Sequence, residues 1–340
     1  MKNILVTGGA GFIGSHTVIE LAQAGYNPVI LDNFSNSDPR ILLGIEKILG
    51  RKPLFYKGDC LDDIFLSKIF SLYHFSGIIH FAAFKSVSES IKNPLLYWKN
   101  NIDSLLHILE IALKKNVSAF VFSSSATIYG EPNEVPISEV SPRKLATCAY
   151  GATKQAGEDI LQNICTTPAN KKILKGISLR YFNPVGAHPS GLIGELPLGI
   201  PQNLIPFVTQ TAAKIRKELI IFGNDYPTPD GTCLRDYIHV VDLAKAHISA
   251  LTFLLKDNAP QYDVFNIGNG KASSVLEVIH TFQKITNVSL PYRIGPRREG
   301  DVVSCYAEVS KAEKILNWKA EYTLENALRD AWNWQKNIPF

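Results

Sequence analysis

The sequence predicts an α/β chain, a doubly wound parallel sheet followed by a smaller C-terminal α/β part. Three observations carry this. Short apolar runs alternate with helical stretches through the first half, the pattern of βαβ units with right-handed crossovers. A glycine-dense turn, Gly8-Gly9-Ala10-Gly11-Phe12-Ile13-Gly14, joins the first strand to the first helix. After Asn183 the texture changes, with Pro184, Gly186, Pro189, Gly191, Gly194, Pro197, Gly199, Pro201 and Pro206 crowded into one stretch. Such a stretch reads as a domain crossing or a long functional loop.

The elements follow in order. Asn3 to Thr7 reads as a strand around Ile4-Leu5-Val6, and Ile13 to Ala24 as a helix that stops near Gly25. Pro28 to Asp32 is the second strand. Leu54-Phe55-Tyr56, Gly77 to Phe81 and Ala119 to Ser123 are further strands, and Asn101 to Lys114 is a helix between them. Tyr150 to Cys165 reads as a helix and Gly176 to Tyr181 as the strand after it. Beyond the proline-rich stretch, helices are expected over Leu204 to Lys217, Val241 to Leu255 and Ser274 to Thr286. These divide the chain into a first domain over 1–183 and a second over 184–340, with a return to the first domain near 236–265.

Composition narrows the function. The chain has 340 residues, 46% hydrophobic and 19% charged, which suits one large or two ordinary globular domains and excludes a disordered or fibrous protein. The formal charge of +4 is not gathered into a basic run, so nucleic acid and acidic membrane surfaces are not expected partners. Cys60, Cys148, Cys165, Cys233 and Cys305 are scattered and never spaced as C-x-x-C, which argues against a disulfide framework or a zinc site. The N-terminal apolar run is too short for a signal sequence, and no apolar run is long enough to cross a membrane, so a cytoplasmic setting is expected.

The glycine turn fits a dinucleotide fingerprint. Its glycines allow a tight turn and close approach of the backbone to a pyrophosphate, and the helix behind it offers unpaired N–H groups and a positive dipole end. This is the Rossmann arrangement. Asp32 ends the second strand 18 residues after Gly14, where a carboxylate accepts from a ribose hydroxyl and repels a 2′-phosphate; that favours NAD over NADP. Tyr150 and Lys154 are four apart and share one helix face. A phenol titrates near ~10, and a neighbouring ammonium favours the phenolate a general base needs. Ser123-Ser124-Ser125 ends a parallel strand, where open α/β sheets place their ligands.

Taken together, these segments make the chain resemble an extended member of the short-chain dehydrogenase/reductase superfamily, and within it the UDP-glucose 4-epimerase family over almost the whole length. The match runs through Thr7 to His16, His80 to Lys85, Phe122 to Gly130, Tyr150 to Lys154, Leu179 to His188, Asp230 to Thr232, Arg235 to Val240 and Arg297 to Asp301. By resemblance, Gly8, Gly11, Phe12, Ile13, Gly14, Asp32, Asn33, Asn36, Ser37, Asp59, Cys60, Phe81, Ala82, Ala83, Lys85, Asn100 and Phe182 match NAD-contacting positions. Tyr150 matches the catalytic base, Lys154 the lysine on the nicotinamide ribose, and Ser125 the serine at the sugar hydroxyl; all three also touch cofactor. Lys85, Asn183, Asn203, Leu204, Ile220, Ile221, Phe222, Arg235, Arg298 and Asp301 match positions around a UDP-sugar, and Arg235 and Arg298 suit a diphosphate.

The implied activity is reversible epimerisation of UDP-glucose and UDP-galactose at C4 through a transient 4-ketose, with NAD kept bound, in a homodimer joined through helices of the cofactor domain. Cys305 matches the position facing the sugar's 2-substituent. A small residue there implies that UDP-N-acetylglucosamine and UDP-N-acetylgalactosamine are also admitted. Two alternatives share the fold. A nucleotide-sugar 4,6-dehydratase usually carries an Asp-Glu pair after the strand-end hydroxyl residue, where this chain has Ala126-Thr127. A non-catalytic NAD(H)-sensing protein often lacks the Tyr/Lys pair kept here.

Overall fold

Nearly continuous burial along the central strands marks a sheet covered on both faces. The structure, a computed structural model, describes residues 1–298 and 300–338. Its first half contains β1 (Asn3–Thr7), α1 (Phe12–Gln23), β2 (Asn27–Asp32), α2 (Ile41–Leu49), β3 (Leu54–Lys57), α3 (Asp63–Leu72) and β4 (Phe75–His80). It continues with α4 (Val87–Lys92), α5 (Pro94–Trp98), α6 (Ser104–Lys114), β5 (Ala119–Ser125), α7 (Ala149–Thr166) and β6 (Lys175–Tyr181). Side chains of a strand point alternately to opposite faces. Ile4 and Val6 therefore join one core with Val18, Ile19, Val121 and Ile177, and Leu5 joins another with Val29, Ile78, Ile108 and Phe120.

The second half is more broken. It contains β7 (Asn183–Val185), α8 (Leu204–Ala212), β8 (Leu219–Phe222), β9 (Leu234–Arg235), β10 (Tyr237–His239), α9 (Val240–Leu254) and β11 (Tyr262–Ile267). β12 (Ser273–Ser274), α10 (Val275–Thr286), β13 (Tyr292–Gly295), β14 (Ser304–Cys305), α11 (Ser310–Leu316) and α12 (Leu324–Asn337) complete it. The main sheet runs β3-β2-β1-β4-β5-β6-β11, every neighbour pair parallel. β11 and the deeply buried α9 thus lie against the first-half sheet although they come late in the chain. α9 is apolar nearly all round because it is held between that sheet and α1. A separate core of Val185, Ile205, Val208, Leu219, Ile221, Val278, Phe282 and Leu328 holds α8, α10 and α12 together.

Two helix limits depart from the sequence-based expectation. The helix expected from Asn101 opens instead with a π-helical turn, Lys99–Asp103, before α6 begins. The widened turn places the buried Asn101 so that its amide clasps Phe84, accepting from Phe84 N at 2.8 Å and donating to Phe84 O at 3.1 Å. The helix expected to reach Lys217 ends at Ala212. Lys214 sits in the left-handed region at φ 61°, which turns the chain toward β8. There the Arg216 guanidinium stacks 4.7 Å from the Phe207 ring.

Candidate active site

The order of the main sheet reverses between β1 and β4, and ligands of such sheets bind outside the strand C-termini at that point. The glycine turn lies there. Gly8 has φ +67° and no room for a side chain, since a Cβ would lie 2.9 Å from Ala82 N. A Cβ on Gly14 would lie 2.3 Å from Gly8 O, so only glycine lets α1 approach the turn. No side chain caps α1, and Gly11, the capping residue just before it, is extended. Phe12 and Ile13 therefore begin a helix whose first-turn N–H groups can face an anion. This cradle fits a pyrophosphate.

Asp32, at the end of β2, is buried. One oxygen accepts from Ala10 N at 3.0 Å; the other accepts from Phe34 N at 2.9 Å and Ser37 Oγ at 2.7 Å. A carboxylate has about four acceptor positions, so it can fix the turn and still receive a ribose hydroxyl. Phe34 pays for this geometry with φ 60°, rare for a side chain of its size. Asn33 donates to Asp59 at 2.8 Å, and Cys60 lies buried beside them, its thiol pushed far up by burial. Asn36 is exposed on the same loop. Phe81 and Ala82 continue β4, bound to Thr7 through Phe81 N→Thr7 O at 3.0 Å, and Ala83 follows. Asn100, in the π turn, donates to Asn101 at 3.0 Å.

Tyr150 and Lys154 stand on the first turns of α7, against the end of β5. Lys154 is 4% exposed. Its Nζ donates to Ser123 O at 2.6 Å and Ser123 Oγ at 3.3 Å, and lies 5.9 Å from the Tyr150 ring centre. Burial pulls the ammonium down to about 7, with Glu158 one helical turn on opposing the shift. Burial also raises the Tyr150 phenol, and hydrogen bonding from Ser125 counters it. Ser125 Oγ accepts from Thr127 N at 3.2 Å and Thr127 Oγ1 at 3.0 Å. Its own proton is thereby left to turn toward the phenol oxygen. Phe182 follows β6 and packs with Ala126 and Ala307, with Cys305 against the same cluster.

The positions expected around a sugar nucleotide fall into two groups. Arg235, Arg298 and Asp301 form one cluster. Arg298 straddles the Asp301 carboxylate at 2.7 and 3.1 Å, and Arg235 lies 3.5 Å from the same carboxylate and 2.8 Å from Val302 O. The Arg298 guanidinium lies 5.8 Å from the ring centre of the exposed Phe222. Ile220 packs near Gly295 on the neighbouring strand, whereas Ile221 turns its side chain into the core. Cys305 pairs in parallel register with Arg235, and burial raises its thiol to about 11. Glu299 of the Arg297–Asp301 motif lies outside the described residues.

The second group is Lys85, Asn183, Asn203 and Leu204. Asn183 is exposed at the start of β7, and Asn203 precedes Leu204 at the start of α8. One residue not singled out from sequence connects Lys85 and Asn203. Glu195 accepts from Asn203 Nδ2 at 2.8 Å and pairs with Lys85 at 3.2 Å, while its own carbonyl accepts from Trp334 Nε1 at 2.9 Å. It ties the loop after β4 to the proline-rich stretch. Its place within that stretch, between Gly194 and Pro197, was the available signal.

A doubly wound sheet with a glycine-lined turn and a Tyr-x-x-x-Lys pair at its strand ends defines the short-chain dehydrogenase/reductase class. A family model described as GDP-mannose 4,6 dehydratase matches residues 5–331. A UDP-glucose 4-epimerase from Dictyostelium discoideum is 51% identical over 336 residues, covering 99% of this chain and 96% of its own. Among solved structures, a UDP-glucose 4-epimerase from Stenotrophomonas maltophila, with bound NAD and formylated UDP-arabinopyranose, is 44% identical and superposes with a TM-score of 0.95 over 99% of both chains. That from Bifidobacterium longum, in complex with NAD+ and UDP, is 45% identical with a TM-score of 0.94, also over 99% of both. The chain belongs to the UDP-glucose 4-epimerase family.

Proposed function

We propose that the protein interconverts UDP-glucose and UDP-galactose at C4, with NAD held in the β1–β4 crevice. The observation that carries this is the convergence of Tyr150, Lys154 and Ser125 at the end of β5, beside a cradle only glycine can form. Bound NAD supplies the means to oxidise C4 and reduce it again. Tyr150 accepts the proton of the sugar 4-hydroxyl and returns it. Lys154, fixed by Ser123, places positive charge beside the phenol. Ser125 directs its proton at the reacting oxygen. The glycine turn, Asp32, Asn33, Asn36, Ser37, Asp59, Cys60, the Phe81–Lys85 loop, Asn100 and Phe182 line the cofactor. Arg235, Arg298, Asp301, Asn183, Asn203 and the 220–222 segment hold the nucleotide half while the sugar turns. We assign 1–183 to cofactor binding and 184–340 to the sugar nucleotide, with α9 and β11 returning to the first sheet.

The family model's name raises the dehydratase reading. The turn after Ser125, Ala126–Tyr129, offers Ala126 and Thr127 where an elimination needs an acid, and this favours epimerisation. The small Cys305 supports access for N-acetylated sugars. The five free cysteines suit a reducing, cytoplasmic setting, and among the described residues no helix is long and apolar enough to cross a membrane. The exposed Ile91, Leu95, Leu96, Trp98 and Leu106 on α4–α6 supply an apolar face that a homodimer would cover. The test is product analysis on UDP-glucose, UDP-galactose and their two N-acetylhexosamine counterparts. A protein that converts none of the four refutes the reading, and a 4-keto-6-deoxy product restores the dehydratase.

A further inference from the structure

The buried Lys154 ammonium needs more than Ser123 to keep its charge. Ser123 takes two of its three N–H groups, and both acceptors there are neutral. Glu158, the carboxylate one helical turn on, is already occupied. Its Oε1 accepts from Ser124 Oγ at 2.5 Å and Arg180 Nε at 2.9 Å, and its Oε2 from Arg180 Nη2 at 2.7 Å. What lies against the ammonium instead is an aromatic face. Lys154 Nζ stands 5.0 Å from the ring centre of Phe122 on β5, nearer than the 5.9 Å to the Tyr150 ring. The face of a benzene ring is the negative part of its quadrupole. A cation within about 6 Å of the ring centre is attracted to it, most strongly where water is excluded. Both partners are buried, Phe122 at 3% exposure.

The fold builds this contact. Phe122 and Ser124 are two apart on β5, so they share the face turned to α7. Lys154, Gly157 and Glu158 lie on one stripe of α7. A Cβ on Gly157 would lie 2.5 Å from Phe122 Cζ and 2.9 Å from its Cε1, so a bare backbone there lets the helix settle onto the ring. We propose that Phe122 is a positioning residue: its ring face holds the Lys154 side chain as an ammonium beside Tyr150, with Gly157 providing the seat. The proposal rests on the reading of Tyr150 and Lys154 as the pair that acts on the sugar. Other groups face the ammonium as well. On α7, Glu158 favours the charge from a distance, and burial keeps Tyr150 a neutral phenol on which Cys148 and Ser125 also act. From β4, His80 pairs with Phe122 in register and stacks on its ring at 6.3 Å and 16°; burial lowers its pKa to about 3, so it brings no charge. On β6, Arg180 grips Glu158 and Tyr181 is hydrogen-bonded to His247. None of these brings an unshared negative charge to Lys154 Nζ.

The test places mono-, di- and trifluorinated phenylalanine at position 122, which keeps the ring and drains its π face step by step. Phe122→Leu removes the face altogether. Lys154 is followed without substrate by NMR of lysine isotopically labelled at Cε, its signal assigned by its loss in Lys154→Met. Its titration midpoint should fall in graded steps, by about one pH unit, or about tenfold in the proton equilibrium, from phenylalanine to the trifluorinated ring. Phe122→Leu should lower it at least as far. The alkaline limb of the kcat profile for UDP-galactose, where the ammonium loses its proton, should fall by the same amount, with the acid limb in place and KM within about twofold. A protein inert toward every sugar nucleotide, yet with the graded titration, would sink the epimerase reading and keep the role of the ring. A Lys154 midpoint unmoved through the fluorinated series would overturn the proposal, even where Phe122→Leu shifts it, since that shift would mark packing alone.

Discussion

Replacing Lys154 by methionine should disable the enzyme and stabilise its fold. The side chain is 4% exposed, and its ammonium is pulled from 10.5 to about 7 chiefly by burial. At 1.36 kcal/mol per tenfold, holding the charge there costs the folded state about 5 kcal/mol. Methionine fills a similar volume without charge. It leaves Ser123 O without its 2.6 Å donor, which costs about 1–3 kcal/mol. The net expectation is a gain of about 2–4 kcal/mol for cofactor-free protein near pH 6. The sign follows from linkage. Below about 7 both folded and unfolded chains hold the proton, so the wild type carries the full penalty. Between about 7 and 10.5 only the unfolded chain holds it, so wild-type stability climbs with pH and the advantage of the variant fades. Urea unfolding at pH 6, 8 and 10 measures this, alongside UDP-galactose turnover, which should fall at least ~100-fold. A variant less stable than wild type at pH 6, or an advantage that does not shrink as pH rises, would refute the reasoning.

Protein purified without added cofactor should carry NAD near one per chain. Denaturation and assay of the supernatant decide this, and NADP alone or no nicotinamide would contradict the role given to Asp32. Tyr150→Phe should lower turnover by about 10²–10⁴ while leaving UDP affinity, measured by calorimetry, nearly unchanged. Cys305→Tyr should abolish conversion of the N-acetylated sugars selectively, because a phenol would fill the volume beside Phe182 and Ala126 that an acetamido group needs. Wild type inert toward UDP-N-acetylglucosamine defeats that last idea outright.

The main sheet was legible because its strands are short apolar runs bounded by glycines and helices, and a parallel sheet buried on both faces leaves such runs in the text. The glycine turn, Asp32 and Tyr150–Lys154 were legible because each obeys a local spacing. What escaped depends on distance along the chain. Glu195 meets Lys85 across 110 residues and Asn203 across 8, and nothing in the intervening text marks the pairing. His247 reads as one polar letter on an apolar helix, and only the packing of α9 on β5 and β6 brings it to Tyr181. The π turn at Lys99–Asp103 has no signature, since its residues would serve equally in a regular helix. Lys214 ends α8 with a backbone angle that lysine does not advertise.

Ser123-Ser124-Ser125 shows how the pleat converts identical letters into different chemistry. Successive side chains alternate across the sheet. The register sets Ser124 beside Arg180, and Ser123 and Ser125 beside Leu179 and Tyr181. Ser124 faces α7 and donates to Glu158 at 2.5 Å; Arg180 grips the same carboxylate at 2.9 and 2.7 Å and passes a further bond, 2.8 Å, to the Tyr129 hydroxyl. Glu158 is buried, so its charge is tolerable only because that fork satisfies it. The same carboxylate then acts on Lys154, one turn earlier on α7. On the opposite face Ser123 receives the ammonium and Ser125 addresses the phenol. Tyr150, Lys154 and Glu158 are thus three successive turns of one helix, each matched to a different serine of one strand. A slip of one residue between α7 and β5 would leave a buried carboxylate and a buried ammonium both unpartnered. The electrostatics that place the Tyr150–Lys154 pair therefore also fix the register of helix on strand.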